Sequence, residues 1–219
     1  IIIWDKKKHK YRNLLSIIIN IRQTKYDAVI NVQRFLSTGL ITVFSGAKYK
    51  TGFSKNPLSI LFTNVSKHSI KEGIHETKRN LLLIEKITDK TFVRARLYPS
   101  VSDFAKTNIL KKNKYICIAP ASVWFTKQYP QDKWIELIEF LKNKYTLYLL
   151  GAKEDYIFCD AIMKNFNNFN IINLSGNLTL LQTASLMKDA VMNFVNDSAP
   201  LHIASAVNAP VTAIYCSTI

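Results

Sequence analysis

In the second half of the chain, short apolar runs alternate with amphipathic segments. The apolar runs predict strands at 114–119, 146–150, 171–174, 190–195 and 211–215. Apolar residues at helical spacing predict helices between them, at 130–143, 154–166, 180–188 and 198–207. Because strands that are apolar on both faces alternate with helices, the pattern predicts a parallel sheet covered by helices on both sides.

The first half follows the same alternation less regularly. A strand is predicted over 26–32, and helices over 34–45 and 75–87. The segment 48–69 is polar and aromatic and is interrupted by glycine and proline, so it is expected to form a loop with short turns. We expect an N-terminal domain at 1–99, a linker at 100–112 and a C-terminal domain at 113–219.

Both ends of the chain look cut. Residues 1–3 are an apolar run that predicts the end of a strand, and the sequence stops directly after the last predicted strand, before a helix that would cover it. We therefore expect a fragment of a longer protein with an incomplete N-terminal domain.

Basic charge is concentrated in the first half of the chain. Residues 1–112 hold 22 Lys and Arg against 7 Asp and Glu, whereas residues 113–219 hold 8 of each, and the net charge is +15. A chain with one basic half is expected to meet an anionic partner there: a phosphorylated glycolipid, a membrane surface or a nucleic acid. The alternative is a lysine-rich face that is merely solvated.

Composition excludes several classes of protein. A hydrophobic content of 48% is that of a globular chain, and no apolar run reaches the roughly 18 to 20 residues of a membrane span. Cys117, Cys159 and Cys216 are far apart and lack neighbours at metal-ligand spacing, which argues against disulfides and structural zinc. This cysteine usage predicts a cytoplasmic protein.

The candidate ligand-binding residues lie in the loops that follow the predicted strands, since open parallel sheets bind ligands there. After the first strand of the second half, Ser122 and Thr126 offer hydroxyls and Lys127 offers a cation just before a helix. A helix N-terminus adds partial positive charge, so this loop is a candidate diphosphate cradle. Local hydrogen bonds and a solvated lysine are the alternative explanation.

Three further loops contribute candidates at the same edge. Asp197 and Ser198 precede a predicted helix with Ala199 and His202 in its first turn, which resembles an anion site but is also explained by helix capping. Glu154 follows the second strand, where its carboxylate could meet a ribose. Leu174, Ser175 and Gly176 follow the third strand in a predicted tight turn, in which Gly176 is free to take positive φ.

Taken in order, these loops resemble glycosyltransferase family nine, the heptosyltransferases of lipopolysaccharide synthesis. The segment 196–202 is similar to the family's Asp-Ser-Gly-Pro-X-His signature, and 122–130 is similar to its Lys-aromatic-Pro segment. The first half resembles the family in pattern, through the strand at 26–33 and the segments 45–53 and 75–81.

The resemblance implies two Rossmann-like domains facing each other, the GT-B arrangement. It implies ADP-heptose as the donor in the C-terminal domain, an anionic glycolipid acceptor on the basic domain, and peripheral association with the cytoplasmic face of the inner membrane. The donor residues carried over are Ser122, Thr126, Lys127, Glu154, Leu174, Ser175, Gly176, Asp197, Ser198, Ala199 and His202. The acceptor-side residues carried over are Gln33, Arg34, His75 and Arg79.

The resemblance also implies an inverting transfer without a cofactor. This sequence has no Asp-X-Asp, so we expect protein groups rather than a metal ion to meet the charge of the leaving diphosphate. Ala199 and Tyr129 replace the family's usual glycine and tryptophan. The family's catalytic base belongs to a loop expected upstream of Ile1, which leaves the base unknown here and puts the activity of this chain alone in doubt.

Other functions fit the same pattern in part. Another GT-B transferase or an epimerase that uses a UDP-sugar would show similar loops. A degenerate transferase would still bind a nucleotide. A nucleic-acid-binding protein would explain the basic half, but that half lacks aromatic residues interleaved with arginine, so no nucleic-acid partner is expected.

Overall fold

The computed structural model describes residues 1–6, 8–69, 75–89, 91–167 and 170–216. The chain divides into two compact units, Ile1–Val93 and Arg94–Ile219. Each unit contains one parallel sheet with helices, which confirms the expected α/β class with two parallel-sheet units. Within the described residues, no helix is both long enough and apolar enough to cross a bilayer.

The first unit is built on a sheet of three parallel strands in the order β1-β2-β3. Ala28 lies opposite Tyr49, and Thr51 lies opposite Asn64. Its elements in chain order are α1 (Lys10–Thr24), β1 (Ala28–Asn31), α2 (Leu36–Phe44), β2 (Tyr49–Phe53), β3 (Asn64–Ser66) and α3 (Glu76–Leu81).

The first unit differs from the sequence prediction in three places. Residues 1–3 form no strand and α1, which was not predicted, follows them, with Leu14 and Ile17 buried. The segment 48–69, predicted to be a loop, contains β2 and β3. Strand β2 was not predicted because its sequence is polar and contains a glycine. Gly52 is nevertheless required there, because a Cβ would lie 2.5 Å from the ring of Phe62.

The second unit has a sheet of five parallel strands in the order β6-β5-β4-β7-β8. Every strand and helix predicted from 113 onward is present, with ends shifted by a few residues. Its elements are α4 (Val101–Asn108), β4 (Tyr115–Ala119), α5 (Gln131–Leu141), β5 (Thr146–Leu149), α6 (Tyr156–Met163), β6 (Ile171–Asn173), α7 (Leu180–Lys188), β7 (Met192–Asn196), α8 (Ala199–Ala206) and β8 (Val211–Ile214). Residues 217–219, on which the expectation of a cut end rests, lie outside the described residues.

The segment 100–112, expected to be a linker, instead forms α4 and packs in the second unit. Ser100 and Asp103 form a capping box at its start. The hydroxyl groups of Thr107 and Ser185 lie 2.7 Å apart, which ties α4 to α7. The unit boundary therefore falls between Val93 and Arg94, before the expected boundary at residue 99.

Two apolar clusters cover the faces of the second sheet. One contains Leu186 and Met187 of α7, and the other contains Trp134 and Ile138 of α5. Cys117 and Cys159 are buried in these clusters, and burial raises the pKa of the Cys159 thiol to about 11. Cys117 and Cys159 thus serve as packing residues, whereas Cys216 is exposed. The two clusters form the core from which the loops at the strand ends extend.

Candidate functional site

The strand order of the second sheet reverses between β4 and β7, so the two loops that follow them diverge and leave a crevice. Asn196, at the end of β7, is fully buried. Its amide donates to the carbonyl of Pro120 at 2.8 Å, and its Oδ1 accepts from the backbone N–H of Tyr129 at 3.1 Å. Asn196 therefore fixes both ends of the loop 120–130.

A cavity of about 360 Å³ opens at this crevice, within the size range of small-molecule sites. Its wall combines small and polar groups of the strand-end loops with apolar side chains of α7 and α8. The lining residues are Ala119, Ala121, Ser122, Val123, Leu150, Gly151, Ala152, Asp155, Leu178, Leu180, Thr183, Ser198, Ala199, Pro200 and Ile203. Three residues predicted from the sequence, Ser122, Ser198 and Ala199, are therefore brought together.

Lys127 and Asp197 form an ion pair beside the cavity. The Lys127 ammonium lies 2.6 Å from Asp197 Oδ2, and both side chains are partly buried, at 30% and 20% exposure. A carboxylate next to an anion site would repel the ligand unless a cation neutralised it. Asp197, the residue before Ser198, thus holds Lys127 near the start of α8.

The start of α8 is open. Ser198 occupies the N-cap position in an extended conformation, but its side chain makes no capping hydrogen bond, and Oγ contacts the carbonyl of Asn196 at 3.4 Å instead. Pro200 lies in the first turn, as expected. Pro200 has no N–H and the N–H of Leu201 donates to the carbonyl of Ser198 at 3.0 Å, so in the described part of the chain the N–H of Ala199 is the first-turn donor left for an anion in the cavity.

The acid that borders the cavity is Asp155, whereas the sequence pointed to Glu154. A 3-10 turn at Lys153–Asp155 directs Glu154 to solvent and brings Asp155 back over the loop. Asp155 Oδ2 accepts from the N–H of Ala152 at 2.8 Å, and a Cβ on Gly151 would lie 2.8 Å from Asp155 Cβ. Two adjacent acids cannot be told apart from spacing, because the turn geometry decides which one faces inward.

The turn at 174–176 packs on the loop that follows β5. Gly176 has a φ of +75°, as expected, and its N–H donates to the carbonyl of Gly151 at 3.0 Å. A Cβ on Gly176 would lie 2.9 Å from Lys153 Cα, so only glycine allows this approach. Leu174, Ser175 and Gly176 do not line the 360 Å³ cavity; Ser175 and Gly176 line a neighbouring groove with Lys153.

Two other predicted donor residues lie away from the cavity. Thr126 and His202 are exposed and are absent from the lining. The sequence in turn missed the apolar wall from α7, although Thr179 and Gln182 form a capping box that marks the start of this helix just after β6. That pattern would have placed Leu180 and Thr183 near the site.

The acceptor-side candidates lie in the first unit in two different environments. Gln33 and Arg34 are exposed in the loop after β1, whereas Arg79 is buried on α3 and pairs with Glu76. His75 is the N-cap of α3, where its Nδ1 accepts from the N–H of Thr77 at 3.3 Å. Its capping role accounts for His75 without a ligand.

The chain is similar to known proteins over nearly its whole length. The model of the family "Glycosyltransferase family 9 (heptosyltransferase)" matches residues 14–219. Lipopolysaccharide heptosyltransferase 3 of Escherichia coli K12 is 26% identical over 95% of this chain, and the match spans 64% of that relative. The chain thus spans less than two thirds of that relative's length.

Solved structures share the fold. E. coli ADP-heptose lps heptosyltransferase II aligns with a TM-score of 0.80 at 19% identity, covering 94% of this chain and 67% of that one. E. coli heptosyltransferase WaaC with ADP-2-deoxy-2-fluoro heptose aligns with a TM-score of 0.73 at 19% identity, covering 99% and 70%. With the family model matched along almost the entire sequence, the chain belongs to glycosyltransferase family 9, the heptosyltransferase family.

Proposed function

We propose that this protein transfers a heptose from ADP-heptose to a glycolipid acceptor in lipopolysaccharide synthesis. The observation that carries the proposal is the 360 Å³ cavity at the strand-order reversal, with the Lys127–Asp197 pair and the open start of α8 beside it. A related solved heptosyltransferase was obtained with an ADP-heptose analogue, which supports this donor.

Each part of the donor has a matching part of the cavity. Leu178, Leu180 and Ile203 offer an apolar wall for the flat base. Asp155 offers a carboxylate to ribose hydroxyls, and the hydroxyls of Ser122 and Ser198 and the N–H of Ala199 offer donors to the diphosphate. Lys127 lies outside the lining, but its carboxylate partner Asp197 directly precedes Ser198, so a side-chain movement of Lys127 would bring its ammonium to the phosphates.

We propose that the leaving charge is met by these protein groups without a metal ion. In the transfer, the acceptor hydroxyl oxygen bonds to the anomeric carbon of the heptose as the bond from that carbon to the phosphate oxygen breaks. The electron pair leaves with ADP, and the hydroxyl proton passes to a base. Attack from the face opposite the phosphate inverts the anomeric centre. Lys127 and the helix start stabilise the negative charge that develops on ADP.

The acceptor is proposed to bind the first unit, which holds 17 Lys and Arg against 6 Asp and Glu in residues 1–93. Of the acceptor-side candidates, Gln33, Arg34 and Arg79 lie at or near the carboxyl end of its sheet. An anionic glycolipid at the cytoplasmic face of the inner membrane is the partner that this charge fits.

Calorimetry on the whole protein tests the donor assignment. We expect ADP to bind in the presence of excess chelator, and to bind more tightly than UDP. A companion assay with ADP-heptose and a lipopolysaccharide-core acceptor should release ADP, and NMR of the product should show an inverted anomeric configuration.

Three results would contradict the proposal in different parts. A strict Mg²⁺ requirement for ADP binding would exclude the metal-independent site. Preference for UDP would favour another nucleotide-sugar enzyme on the same fold. Retention of anomeric configuration would exclude the direct displacement.

A further inference from the structure

Asn196, the last residue of β7, lies where the two sides of the crevice meet. Strand β7 pairs in parallel with β4 on one side and with β8 on the other. The side chain of Asn196 is fully buried, and the chain passes from it into the start of α8. A side chain at this point can act on both the loop after β4 and the helix start.

The amide of Asn196 bonds to both ends of the loop 120–130. Nδ2 donates to the carbonyl of Pro120, and Oδ1 accepts from the N–H of Tyr129. The N–H of Asp197 donates to the carbonyl of Ile214 in β8 at 3.2 Å, which anchors the backbone beside this amide. Because one buried side chain bonds to both ends, it fixes their separation and their position on the sheet.

The tip of the same loop has little packing of its own. Val123, Trp124 and Phe125 are consecutive large apolar side chains with exposed fractions of 96%, 68% and 88%. In the part of the chain that the structure describes, the backbone hydrogen bonds of the tip are local. They run from the N–H of Lys127 to the carbonyl of Trp124 and from the N–H of Gln128 to that of Phe125. These bonds shape a turn, and the position of the turn is set from the ends of the loop.

Lys127 brings the positive charge of this loop to the cavity. Its ammonium lies 2.6 Å from Asp197 Oδ2, and Asp197 directly follows Asn196. Two consecutive residues therefore hold the loop, one by its backbone and the other by its cation. Tyr129 is two residues after Lys127, so release of this loop end would move the ammonium relative to the N–H of Ala199.

We propose that Asn196 is a positioning residue for the diphosphate of the nucleotide and acts through Lys127. The inference rests on the proposed function and deepens it, because it names a residue by which the site distinguishes a nucleoside diphosphate from a monophosphate. The amide holds the loop where the Lys127 ammonium and the N–H of Ala199 serve the same diphosphate. Asn196 itself is fully buried and touches no part of the nucleotide.

Asn193→Ala is the matched control for Asn196→Ala. Asn193 lies in the same strand and is also fully buried. Its amide donates to the carbonyls of Met187 at 2.9 Å and Pro210 at 2.8 Å, in α7 and in the turn before β8. Both variants therefore lose two buried hydrogen bonds of an amide, but Asn196→Ala alone releases the loop 120–130.

Calorimetry on the whole protein with ADP, AMP, UDP and UMP tests the inference. We expect Asn196→Ala to weaken ADP binding about tenfold and AMP binding less than about threefold, because a charge-assisted contact to the second phosphate is lost. Asn193→Ala should change both affinities less than about twofold. In the Lys127→Ala background, the Asn196 substitution should weaken ADP binding less than about threefold, since the cation through which it acts is gone.

Two further measurements cover the case in which Asn196→Ala destabilises the unit. Asn196→Ser keeps a hydroxyl that can bond to one of the two partners, and it should weaken ADP binding more than AMP binding. Amide exchange without nucleotide should accelerate in 121–129 more in the Asn196 variants than in Asn193→Ala, with β5 as the internal reference.

Three results would overturn the inference. Equal weakening of ADP and AMP in both Asn196 variants would make Asn196 a structural residue only. The same selective loss in Asn193→Ala would assign the effect to general destabilisation of β7. An undiminished effect in the Lys127→Ala background would show that Asn196 does not act through the lysine.

The nucleotide series separates the inference from the proposed function. A native preference for UDP, with a selective loss of UDP over UMP in Asn196→Ala, would sink the proposed donor and leave the inference standing. A native preference for ADP with equal losses of ADP and AMP would do the reverse. Absence of binding of all four nucleotides to the native protein would sink both.

Discussion

The carboxyl ends of the two sheets carry positive charge in different ways. In the second unit, Lys127 is paired with Asp197 beside a concave, partly apolar cavity. In the first unit, Arg34 and Lys55 stand in solvent without an ion-pair partner among the described residues. At one edge a neutralised cation lies beside a shaped cavity, and at the other exposed cations lie on an open surface.

The paired cation of the second unit and the exposed cations of the first would recognise a ligand in different ways. A paired and partly buried cation loses little to salt and acts through position, so shape and apolar contact supply most of the affinity. Exposed cations act through their summed field and are screened beyond about 10 Å at 0.1 M salt. The second edge suits a small molecule of fixed shape, and the first suits an anionic group on a larger, variable acceptor.

Replacing Lys127 by alanine is expected to have the largest effect on the second edge. ADP binding should weaken by about 1.5 to 3 kcal/mol, the scale of a charge-assisted hydrogen bond. AMP binding should weaken much less, because AMP lacks the second phosphate. Calorimetry with both nucleotides measures the difference.

Lys133→Ala is the matched control for this prediction. Lys133 also forms a 2.6 Å ion pair, with Glu136, but lies on the exposed side of α5. Its loss should leave ADP binding unchanged. Equal losses for ADP and AMP in Lys127→Ala would make the lysine a structural residue.

Asn56→Ala is the corresponding change at the first edge and should act on stability. It removes the donors to two backbone carbonyls and the acceptor for the N–H of Leu58 at 3.0 Å, all in a buried position. Leaving buried groups unpaired costs about 1 to 3 kcal/mol. Urea denaturation measures this loss, and hydrogen exchange assigns it to the first unit.

Asn13→Ala provides the comparison within the same unit. The Asn13 amide also donates to two carbonyls, those of Asp5 and Lys8, but at an exposed site where water replaces it. Its loss should cost less than about 0.5 kcal/mol. A similar cost for both variants would show that Asn56 does not hold the edge together.

The sequence predicted the second unit well because its strands are buried on both faces. In β4 and β5 every residue is buried, so the apolar runs mark the strands directly. In the first unit, β2 carries a lysine, a threonine and a glycine, and its contacts come from residues far along the chain such as Phe62. No local pattern encodes those contacts.

The same contrast holds for the two edges as candidate sites. Ser122, Ser198 and Ala199 were found because each directly follows a clear strand, and Gly176 because its turn requires positive φ. Asp155 was missed because a single turn selects it over Glu154. Lys55 and His68 were not among the candidates because β2 and β3, the strands that precede them, were not predicted.

Asp197→Asn should have a smaller effect than Lys127→Ala and separates two roles of the carboxylate. Asn and Asp cap helices equally well, and Ser198 rather than Asp197 occupies the N-cap, so the thermal midpoint should hardly change. Loss of the ion pair should release Lys127 and weaken ADP-heptose binding by about 1 kcal/mol, the usual scale for one such contact. Titrations and thermal melts on the whole protein measure the two quantities. Tighter binding in the variant would instead show that Asp197 competes with the diphosphate for Lys127.

The smallest expected effect is a pH dependence at the first edge, through His68. Burial and the charges of Arg34, Arg79 and Lys55 lower its pKa below 6.5, despite Glu76, so the folded state favours the neutral ring more than the unfolded state does. The stability from this preference is fully present above pH 6.5 and is lost as the pH falls through the lowered pKa. Amide exchange of β3 should therefore accelerate on acidification more in the native protein than in His68→Gln, while exchange of β6 serves as the internal reference. Equal acceleration in the native protein and in His68→Gln would show that His68 does not couple the stability of this edge to pH.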